Sequence, residues 1–304
     1  MNTIRLKTPA TIANLVCGFD VLGMCLHDPF DEMEIRLLPE RKVVIKSADA
    51  NLPTEPALNT AGAPLLEMLK ELQEEVGFEI IIHKNIKPGS GLGSSAASAA
   101  GAVVGANQLL GNRFSKTDLV RFAMFGEKVA SGVKHADNVA PCIFGGITLI
   151  RSAFPLDIIA IPAPSLFVTV VHPQIEVRTS DARQILRTEV LLKDAIKQWG
   201  NIAGLVAGFM QSDTSLISRS LEDVIIEPVR SILIPGFDEV KHGCKKMGAL
   251  GGGISGSGPS IFMLSTTEEI AVAVEQVMKA VYEKIGLAYY TYVTTINTNG
   301  CTIL

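Results

Sequence analysis

The sequence is poor in charge, and this limits the partners that it can have. Charged residues make up 19% of the 304 residues and the formal net charge is −4, so a nucleic acid or an anionic membrane finds no electrostatic support. The first residues lack the apolar stretch of a signal peptide, and we expect none. Residues 88–112 carry no charge, but they hold too many Gly and Ser for a membrane span and predict a buried helix instead.

Cysteine is also scarce, and its pattern excludes a common class of metal site. The five cysteines are an odd number without a Cys-x-x-Cys pair. This pattern favours reduced thiols in the cytoplasm and argues against a zinc site. Apolar residues make up 47% of the chain, which is typical of a globular protein with room for one large domain or two of ordinary size.

A glycine-rich stretch dominates the first half of the chain. Gly89, Gly91 and Gly93 alternate with other residues after a β-branched run at 78–83, and an Ala-rich helical run follows. A strand, a glycine loop and a helix N-terminus present N–H donors to an anion, which predicts a phosphate site. The spacing matches neither the P-loop nor the dinucleotide fingerprint. A glycine-rich connection into a buried helix is the alternative that the loop alone leaves open.

The remaining pattern predicts an alternation of strands and helices with one proline-rich break. Three prolines lie within residues 154–164, and we place a domain boundary there, between domains 1–155 and 156–304. Strands are predicted at 4–13, 31–38, 43–46, 78–83, 166–172, 261–264 and 289–297. Helices are predicted at 59–75, 96–110, 115–130, 181–186, 190–197, 202–210, 215–221, 238–246 and 267–283.

Several polar residues interrupt stretches that otherwise look buried. Asn14 and Asp20 do so near the start, and His135, Asp137 and Asn138 do so before a Gly-Gly pair. Glu127 would fall in the last turn of a helix, where its charge opposes the dipole by roughly 0.3–1 kcal/mol, so it invites a cation unless it only faces solvent. The glycines of 251–258 stand between a helix and a buried strand, which indicates backbone packing or close approach to a ligand rather than a linker.

Three strings together resemble the motifs of the GHMP small-molecule kinases. They are residues 9–23, the Pro-x-x-Gly-Leu-Gly-Ser-Ser-Ala of 88–96, and the glycine string of 251–260. In detail, residues 9–23 and 135–146 are similar to the homoserine kinase branch of that family. The resemblance implies a two-domain α+β fold, with an N-terminal domain like domain 2 of ribosomal protein S5 and a ferredoxin-like C-terminal domain. ATP would lie in the cleft between them.

The resemblance also implies where the nucleotide and its ion would bind. Magnesium would be held by Ser95 and Glu127 and share its coordination with the phosphates, which suits its preference for few protein ligands. Asn59 is expected to contact adenine. The phosphate-binding residues would be Pro88, Gly89, Ser90, Gly91, Leu92, Gly93, Ser94, Ser95 and Ala96.

The acceptor implied by the resemblance is L-homoserine, and two arginines would hold its carboxylate. Arg183 and Arg230 stand in strings that match the family, and the planar fork of arginine fits a carboxylate. Arg187 remains a rival of Arg183, because Leu-Arg replaces the usual Leu-Pro at 186–187. The ammonium group would contact Asn14, Asp20 and Asp137. Around the hydroxyl we expect His135, Asn138 and Thr179.

Asn138 bears on the mechanism, because an amide does not usefully accept a proton. Mevalonate kinases carry an aspartate at this place, so the sequence predicts catalysis by positioning and electrostatic stabilisation without a side-chain base. A GHMP kinase for another acceptor, such as mevalonate, would need an apolar pocket and an aspartate at 138. A non-catalytic regulator would be expected to lose part of the glycine loop or the metal ligand. Family resemblance alone suggests a homodimer.

Overall fold

The computed structural model describes residues 2–47, 52–177 and 179–304, except for the side chains of Ser47, Thr179 and Ser180. Strands β1 to β11 span Thr3–Ala13, Leu22–Leu38, Val43–Ser47, Gly77–His83, Ile147–Ala153, Leu156–Ile161, Phe167–Pro173, Gly251–Ile254, Ile261–Ser265, Tyr289–Thr295 and Thr302–Ile303. Helices α1 to α10 span Gly62–Glu71, Ser94–Leu109, Lys116–Ser131, Val139–Phe144, Thr179–Gln184, Leu192–Gln211, Thr214–Ser220, Glu227–Arg230, Phe237–Lys246 and Glu268–Ile285.

The first sheet is built around the long strand β2. It has the order β11-β1-β2-β4-β3, while β5 pairs with the start of β2 and β6 pairs with β5. Helix α2 packs against β1 and β2 and contacts α1, α3 and α4. Its small residues allow this close approach: a Cβ on Gly101 would meet the Thr8 side chain at 2.2 Å. The uncharged run therefore forms a buried helix, as the sequence predicts, and its N-terminus lies at the glycine loop.

The second sheet is antiparallel, with the order β10-β7-β9-β8, and it carries a separate apolar cluster on each face. Val171 and Met263 face α9 and α10, whereas Val168 and Phe262 face the opposite side. On that side they join residues of the first sheet and of α6 in one cluster. The two halves of the chain thus share a hydrophobic core.

Several predicted boundaries differ from the observed elements: the strand predicted at 31–38 is the end of β2, and the helix predicted at 59–75 is the shorter α1. The helix predicted in two parts at 190–197 and 202–210 is the single helix α6, because packing of Leu205 and Phe209 outweighs the weak helix preference around Gly200. The proline-rich break contains β6, which hydrogen-bonds to β5 in the first sheet. Strand β11 also returns to that sheet, beside β1. The division at residue 155 stays a prediction, and both strands lie on the far side of it.

Candidate active site

A cavity of about 680 Å³ opens where three segments meet: the glycine loop, the loop between β1 and β2, and the last glycine string, residues 251–258. Residues from both halves of the chain line it, among them Lys84 and Phe19, which the sequence did not single out. The predicted site residues that it brings together are Asn14, Asp20, Pro88, Gly89, Ser90, Gly91, Gly93, Ser94, Ser95, Glu127, His135, Asp137, Asn138, Arg183 and Arg230.

The glycine loop is fixed at the cavity by hydrogen bonds to its carbonyls. The Ser90 carbonyl accepts from Ser260 N at 3.2 Å, and the Gly91 carbonyl accepts from the Ser255 hydroxyl at 2.6 Å. The Leu92 carbonyl accepts from a backbone N–H of β1. In a planar peptide the N–H points opposite to the carbonyl, so the N–H groups of Gly91 and Gly93 face away from these partners. With the N-terminus of α2, they form an anion-binding surface.

A buried ion pair supports the glycine loop at the point where it enters α2. The Lys84 and Asp31 side chains are 6% and 0% exposed and are joined by a hydrogen bond. Lys84 Nζ also donates to the Ser94 carbonyl at 2.9 Å, and Asp31 Oδ1 accepts from the backbone N–H groups of Asn85 and Ile86. The pair therefore ties β2, the end of β4 and the first turn of α2 together. A buried charge pair with this many additional hydrogen bonds is stable only as a unit.

One carbonyl of the last glycine string accepts hydrogen bonds from two different parts of the cavity wall. Gly256 O accepts from Asn14 Nδ2 at 2.9 Å and from Arg230 Nη1 at 3.2 Å. Asn14, Leu15 and Val16 form a left-handed turn with φ of 74°, 43° and 69°. Such a turn is costly for a β-branched residue and persists only where its surroundings hold it. The turn brings Asn14 Oδ1 within 3.0 Å of the backbone N–H of Asp20.

Charged groups of both signs meet on the part of the cavity wall that contains Asp20, His135 and Arg183. Arg183 Nη2 donates to both carboxylate oxygens of Asp20 at 3.0 Å, and His135 Nδ1 lies 3.7 Å from Asp20 Oδ1. The guanidinium groups of Arg183 and Arg230 lie 5.6 Å and 4.9 Å from the centre of the Phe19 ring. Phe19 thus offers its face to both cations, which orients them toward one place.

Asn138 is held by a hydrogen bond from β1. The Thr11 hydroxyl donates to Asn138 Oδ1 at 2.8 Å, and Thr11 is completely buried. A Cβ on Gly93 would lie 2.1 Å from the Thr11 hydroxyl and 3.0 Å from Asn138 Oδ1. The glycine loop, Thr11 and Asn138 are therefore in close contact, and Asn138 lies between the anion-binding end and the charged end.

Two buried carboxyl groups on the cavity wall favour the protonated form. Burial raises the pKa of Glu127 to about 7, although the Ser95 hydroxyl opposes the rise. Burial, with the negative charges of Asp20 and Glu127 nearby, raises the pKa of Asp137 to about 7. Burial lowers the pKa of His135, while Asp20 opposes this change. Groups with such perturbed pKa values in one cavity are typical of a functional site.

Family models and relatives agree on what the chain resembles. The GHMP kinases N terminal domain model matches residues 60–146, and the GHMP kinases C terminal model matches residues 205–284. A homoserine kinase of Chlorobium phaeobacteroides is 46% identical over 93% of this chain and 92% of its own length. One of Methanococcus maripaludis is 39% identical over 95% and 98%. The chain belongs to the homoserine kinase family of the GHMP kinases.

Solved structures place the fold in the same family. The crystal structure of homoserine kinase from Cytophaga hutchinsonii is 48% identical, with a TM-score of 0.96 over 100% of this chain and 98% of that one. L. major mevalonate kinase in complex with R-mevalonate is 14% identical with a TM-score of 0.71 over 96% and 95%, which shows a shared fold alone. The α+β GHMP kinase fold expected from the sequence is confirmed.

Other expected site residues of this homoserine kinase family member lie outside the cavity lining. Leu92 and Ala96 are buried in the core, where only their backbone could serve a ligand. The Asn59 carboxamide accepts from Ala61 N and Gly62 N and donates to the Pro53 carbonyl, so it caps the start of α1. These bonds use one of the two N–H groups of the amide, so the expected contact with adenine stays a prediction. The side chain of Thr179 lies outside the described residues.

The structure also bears on the rival arginines and on residues that the sequence missed. Arg187 is exposed and does not line the described cavity, whereas Arg183 does. Thr11 and Phe19 belong to the first motif, which marked this segment as functional. Their contacts could not be read from the sequence, because Thr11 bonds to a residue 127 positions away and Phe19 contacts an arginine 164 positions away. Lys84 precedes the loop as an ordinary-looking charge. Only its burial marks it.

Proposed function

We propose that this chain transfers the γ-phosphoryl group of ATP to the side-chain hydroxyl of L-homoserine, yielding O-phospho-L-homoserine and ADP, a step of threonine biosynthesis. The observation that carries the proposal is the cavity with N–H donors of a glycine loop at one end and paired charges of both signs at the other. The names of the relatives that share more than a third of its residues support the same substrates. In this scheme the acceptor oxygen attacks phosphorus, the bond to the β–γ bridging oxygen breaks so that ADP leaves, and the hydroxyl proton passes to an oxygen of the transferred phosphoryl group.

The glycine loop would hold the nucleotide phosphates. The N–H groups of Gly91 and Gly93 and the N-terminus of α2 would donate to phosphoryl oxygens, and they are fixed before substrate arrives. Because they need no reorganisation, they would also stabilise the charge that develops on the transferred group. The Lys84–Asp31 pair would keep the first turn of α2 in place beneath them.

Glu127 and Ser95 fit a magnesium ion. Glu127 Oε1 is buried and has no hydrogen-bond partner among the described residues, which is costly unless a cation or proton occupies it. Within those residues there is no group of three or more His, Cys, Asp or Glu that could hold a metal by itself. The ion would therefore depend on phosphate oxygens for its remaining ligands. When bound, it would neutralise phosphate charge.

The amino-acid end would work by an exchange of charges. Without substrate, Arg183 and Asp20 neutralise each other, and both are about one third exposed. The carboxylate of homoserine would take Arg183 and Arg230, while its ammonium group would take Asp20, Asp137 and the carbonyl end of Asn14. This exchange keeps every charge paired, and it selects a zwitterion over a simple alcohol or a simple acid.

Asn138 would position the acceptor hydroxyl rather than deprotonate it. The Thr11 hydroxyl holds its amide, and an amide is no base near neutral pH. His135 lies on the same side of the cavity, beside Asp20. Asp137 is the competing base, because its pKa is raised to about 7, but a bound ammonium group beside it would stabilise its ionised form and lower its basicity.

Replacing the amide by a carboxylate tests this role. We expect Asn138→Asp to lower kcat at pH 7, because the new negative charge repels the phosphates, while a carboxylate oxygen can still accept from the Thr11 hydroxyl. Asn138→Ala serves as the matched control for loss of the contact alone. A rise of kcat by orders of magnitude in Asn138→Asp would show that the reaction benefits from a base at this position.

The activity itself is tested by ADP release from Mg-ATP with four acceptors: L-homoserine, L-serine, L-threonine and mevalonate. Turnover with L-homoserine alone is the expected result. Turnover with mevalonate would leave the fold intact but contradict the roles of Asp20, Arg183 and Arg230. Nucleotide binding without turnover on any acceptor would favour a regulator.

A homodimer in the cytoplasm remains part of the proposal. The exposed apolar residues at the start of α6, Leu191, Leu192, Ile196 and Trp199, support a contact between copies. The five free cysteines support a reducing compartment. None of the helices in the described residues is long and apolar enough to cross a membrane. Light scattering of wild type and Trp199→Glu would test the dimer, which the substitution should dissociate.

A further inference from the structure

Two cysteines that are far apart in the sequence are in contact between α4 and the segment that precedes β11. Cys142 lies in α4, and Cys301 lies just before β11. Their sulfur atoms are 3.7 Å apart, and the Cys301 N–H donates to the Cys142 carbonyl at 2.8 Å. We propose that Cys142 and Cys301 are an oxidisable pair that a peroxide converts into a disulfide joining α4 to the C-terminal segment.

The backbone arrangement is compatible with the covalent bond. A direct backbone hydrogen bond between two residues agrees with the Cα separation of about 4.4–6.8 Å that disulfides span. The sulfur atoms would have to approach from 3.7 Å to about 2.05 Å, which small side-chain rotations can supply. Gly300 permits the close contact, because a Cβ there would lie 2.6 Å from the Cys142 carbonyl oxygen.

The two thiols differ in exposure, and this difference assigns their order of reaction. Cys301 is partly exposed, whereas Cys142 is completely buried. The Cys142 thiol donates to the Pro9 carbonyl at 3.5 Å, and the neighbouring Cys301 and burial raise its pKa well above the usual value. Cys301 is thus the thiol that a peroxide can reach, and Cys142 is the one that resolves the product.

The chemistry balances with hydrogen peroxide as the oxidant. The Cys301 sulfur attacks one peroxide oxygen, the O–O bond breaks, and a sulfenic acid and one water form. The Cys142 sulfur then attacks the Cys301 sulfur, the S–O bond breaks, and the departing hydroxide takes the Cys142 proton to form a second water. The two thiols lose two electrons together, and the peroxide gains them.

The bond would reinforce a short contact of the fold. Strand β11 pairs with β1 through Leu6↔Ile303 and Lys7↔Thr302, and Leu304 N donates to the Arg5 carbonyl. The two cysteines are separated by 159 positions, so a cross-link between them restricts the unfolded chain strongly. Helix α4 starts directly after Asn138, so the bond would also fix the helix that carries this residue.

The test is peroxide treatment of the full-length protein, followed by peptide mapping without reductant and by counting of free thiols after unfolding. We expect a Cys142–Cys301 peptide, a fall from five free thiols to three, and a Tm higher by several degrees that returns to its original value with dithiothreitol. Cys301→Ser should lose both the cross-link and the shift. Cys244→Ser, which removes a buried thiol from the cluster at α9 and α10, should retain both.

Other products would overturn the proposal. Five unreacted thiols would show that peroxide does not oxidise Cys301. A Cys301 sulfinic acid without a cross-link would show that Cys142 does not reach the oxidised sulfur of Cys301. A bond from Cys301 to Cys25, which is also close enough to influence the pKa of Cys142, would assign the wrong pair. A disulfide between two copies through Cys301 would place the reactive sulfur on the surface instead.

Discussion

At the residue scale, the site depends on side chains whose neighbours change their usual chemistry. Asp20 alone would be an ordinary surface carboxylate, but Arg183 and His135 place it between two potential cations. Glu127 alone would be a solvated charge at the end of a helix, but it is 6% exposed and one of its oxygens has no hydrogen-bond partner within the described part of the chain. Each residue gains its role from a contact that is remote in the sequence.

The arginines offer a direct test of the amino-acid end. Arg183→Ala should raise the KM for L-homoserine by about 10- to 100-fold, because a charged hydrogen-bond pair is worth roughly 1.5–3 kcal/mol. The KM for ATP should change little, since Arg183 bonds to Asp20 and not to the glycine loop. Steady-state kinetics with each substrate varied in turn would measure both values.

Arg187→Ala is the matched control, because Arg187 is a nearby exposed arginine outside the described cavity lining. It should leave both KM values unchanged. If Arg187→Ala behaved like Arg183→Ala, the assignment of the carboxylate contact would have to move. An equal loss for both ligands in Arg183→Ala would also remove Arg183 from the acceptor site.

Glu127 should couple pH to stability and to activity in opposite directions. Its pKa is raised from 4.5 to about 7 in the folded protein, so ionisation favours the unfolded chain. Its contribution to stability is therefore present below pH 4.5 and is lost as the pH rises toward 7. Glu127→Gln should stabilise the ligand-free protein by about 1–3 kcal/mol at pH 8 and by almost nothing at pH 4.5.

The same substitution should reduce the magnesium-dependent turnover by about 100-fold or more, because the amide cannot supply a charged oxygen. Urea unfolding at the two pH values and kinetics with Mg-ATP are the two measurements. Equal stability of wild type and Glu127→Gln at pH 8 would mean that the carboxylate is not buried as described. Unchanged turnover would exclude Glu127 as a metal ligand.

At the scale of elements, the glycine loop works because other strands and loops hold its carbonyls. Ser255 and Ser260, on either side of the turn between β8 and β9, hold two carbonyls of the loop. The prediction that the last glycine string has a packing or ligand-approach role agrees with these contacts. The helix that follows the loop contributes its N-terminus, and the ion pair of Lys84 and Asp31 holds its first turn.

Substitutions at two glycines separate steric contact from backbone preference. Gly93 and Gly89 both have positive φ, 67° and 74°, but a Cβ would clash at Gly93 and meets nothing within 4 Å at Gly89. Gly93→Ala should lower kcat by about 100-fold or more, because it displaces Thr11 and Asn138 in addition to straining the turn. Gly89→Ala should lower it by about tenfold at most, through the strain alone.

Kinetics and circular dichroism of the two variants would make this comparison. Both variants should keep the helical signal of wild type, since the loop lies outside the helices. An equal effect at both positions would contradict the argument, because it would show that backbone conformation rather than the Thr11–Asn138 contact governs activity.

At the scale of the whole molecule, the two sheets do not separate cleanly. One apolar cluster contains Ile12 and Leu22 of the first sheet together with Val168 and Phe262 of the second. Strand β11 pairs with β1 at the edge of the first sheet, so residues 302 and 303 belong to that sheet although they follow the second sheet in sequence. The active-site cavity lies where the two halves meet, so its shape depends on this shared packing.

We therefore expect the protein to unfold in one transition. Differential scanning calorimetry of the ligand-free protein should give a single peak whose calorimetric and van't Hoff enthalpies agree. Residues 1–161, which contain β1 to β6 but lack β11, should not fold alone, because they would expose the shared cluster. Two resolved peaks, or a folded fragment by circular dichroism, would show that the halves are independent.

The sequence by itself determined the family, the order of most elements and most of the cavity wall. Local patterns sufficed there, because the alternation of β2, the capping box of Ser115 and Asp118 and the glycine spacing at 89–93 depend on neighbours in the chain. The buried helix α2 was predicted from such a pattern and is present. Each motif that contains site residues is also a short stretch of the sequence, so it can be recognised without the fold.

Only the tertiary structure decided which groups are paired and which are buried. The bonds of Arg183 to Asp20, of Thr11 to Asn138 and of Lys84 to Asp31 join residues 53 or more positions apart, and no local pattern specifies such pairs. Burial likewise raised the pKa of Glu127, because the cost of a charge depends on everything packed around it. Side-chain chemistry is local, but its electrostatic surroundings belong to the whole fold.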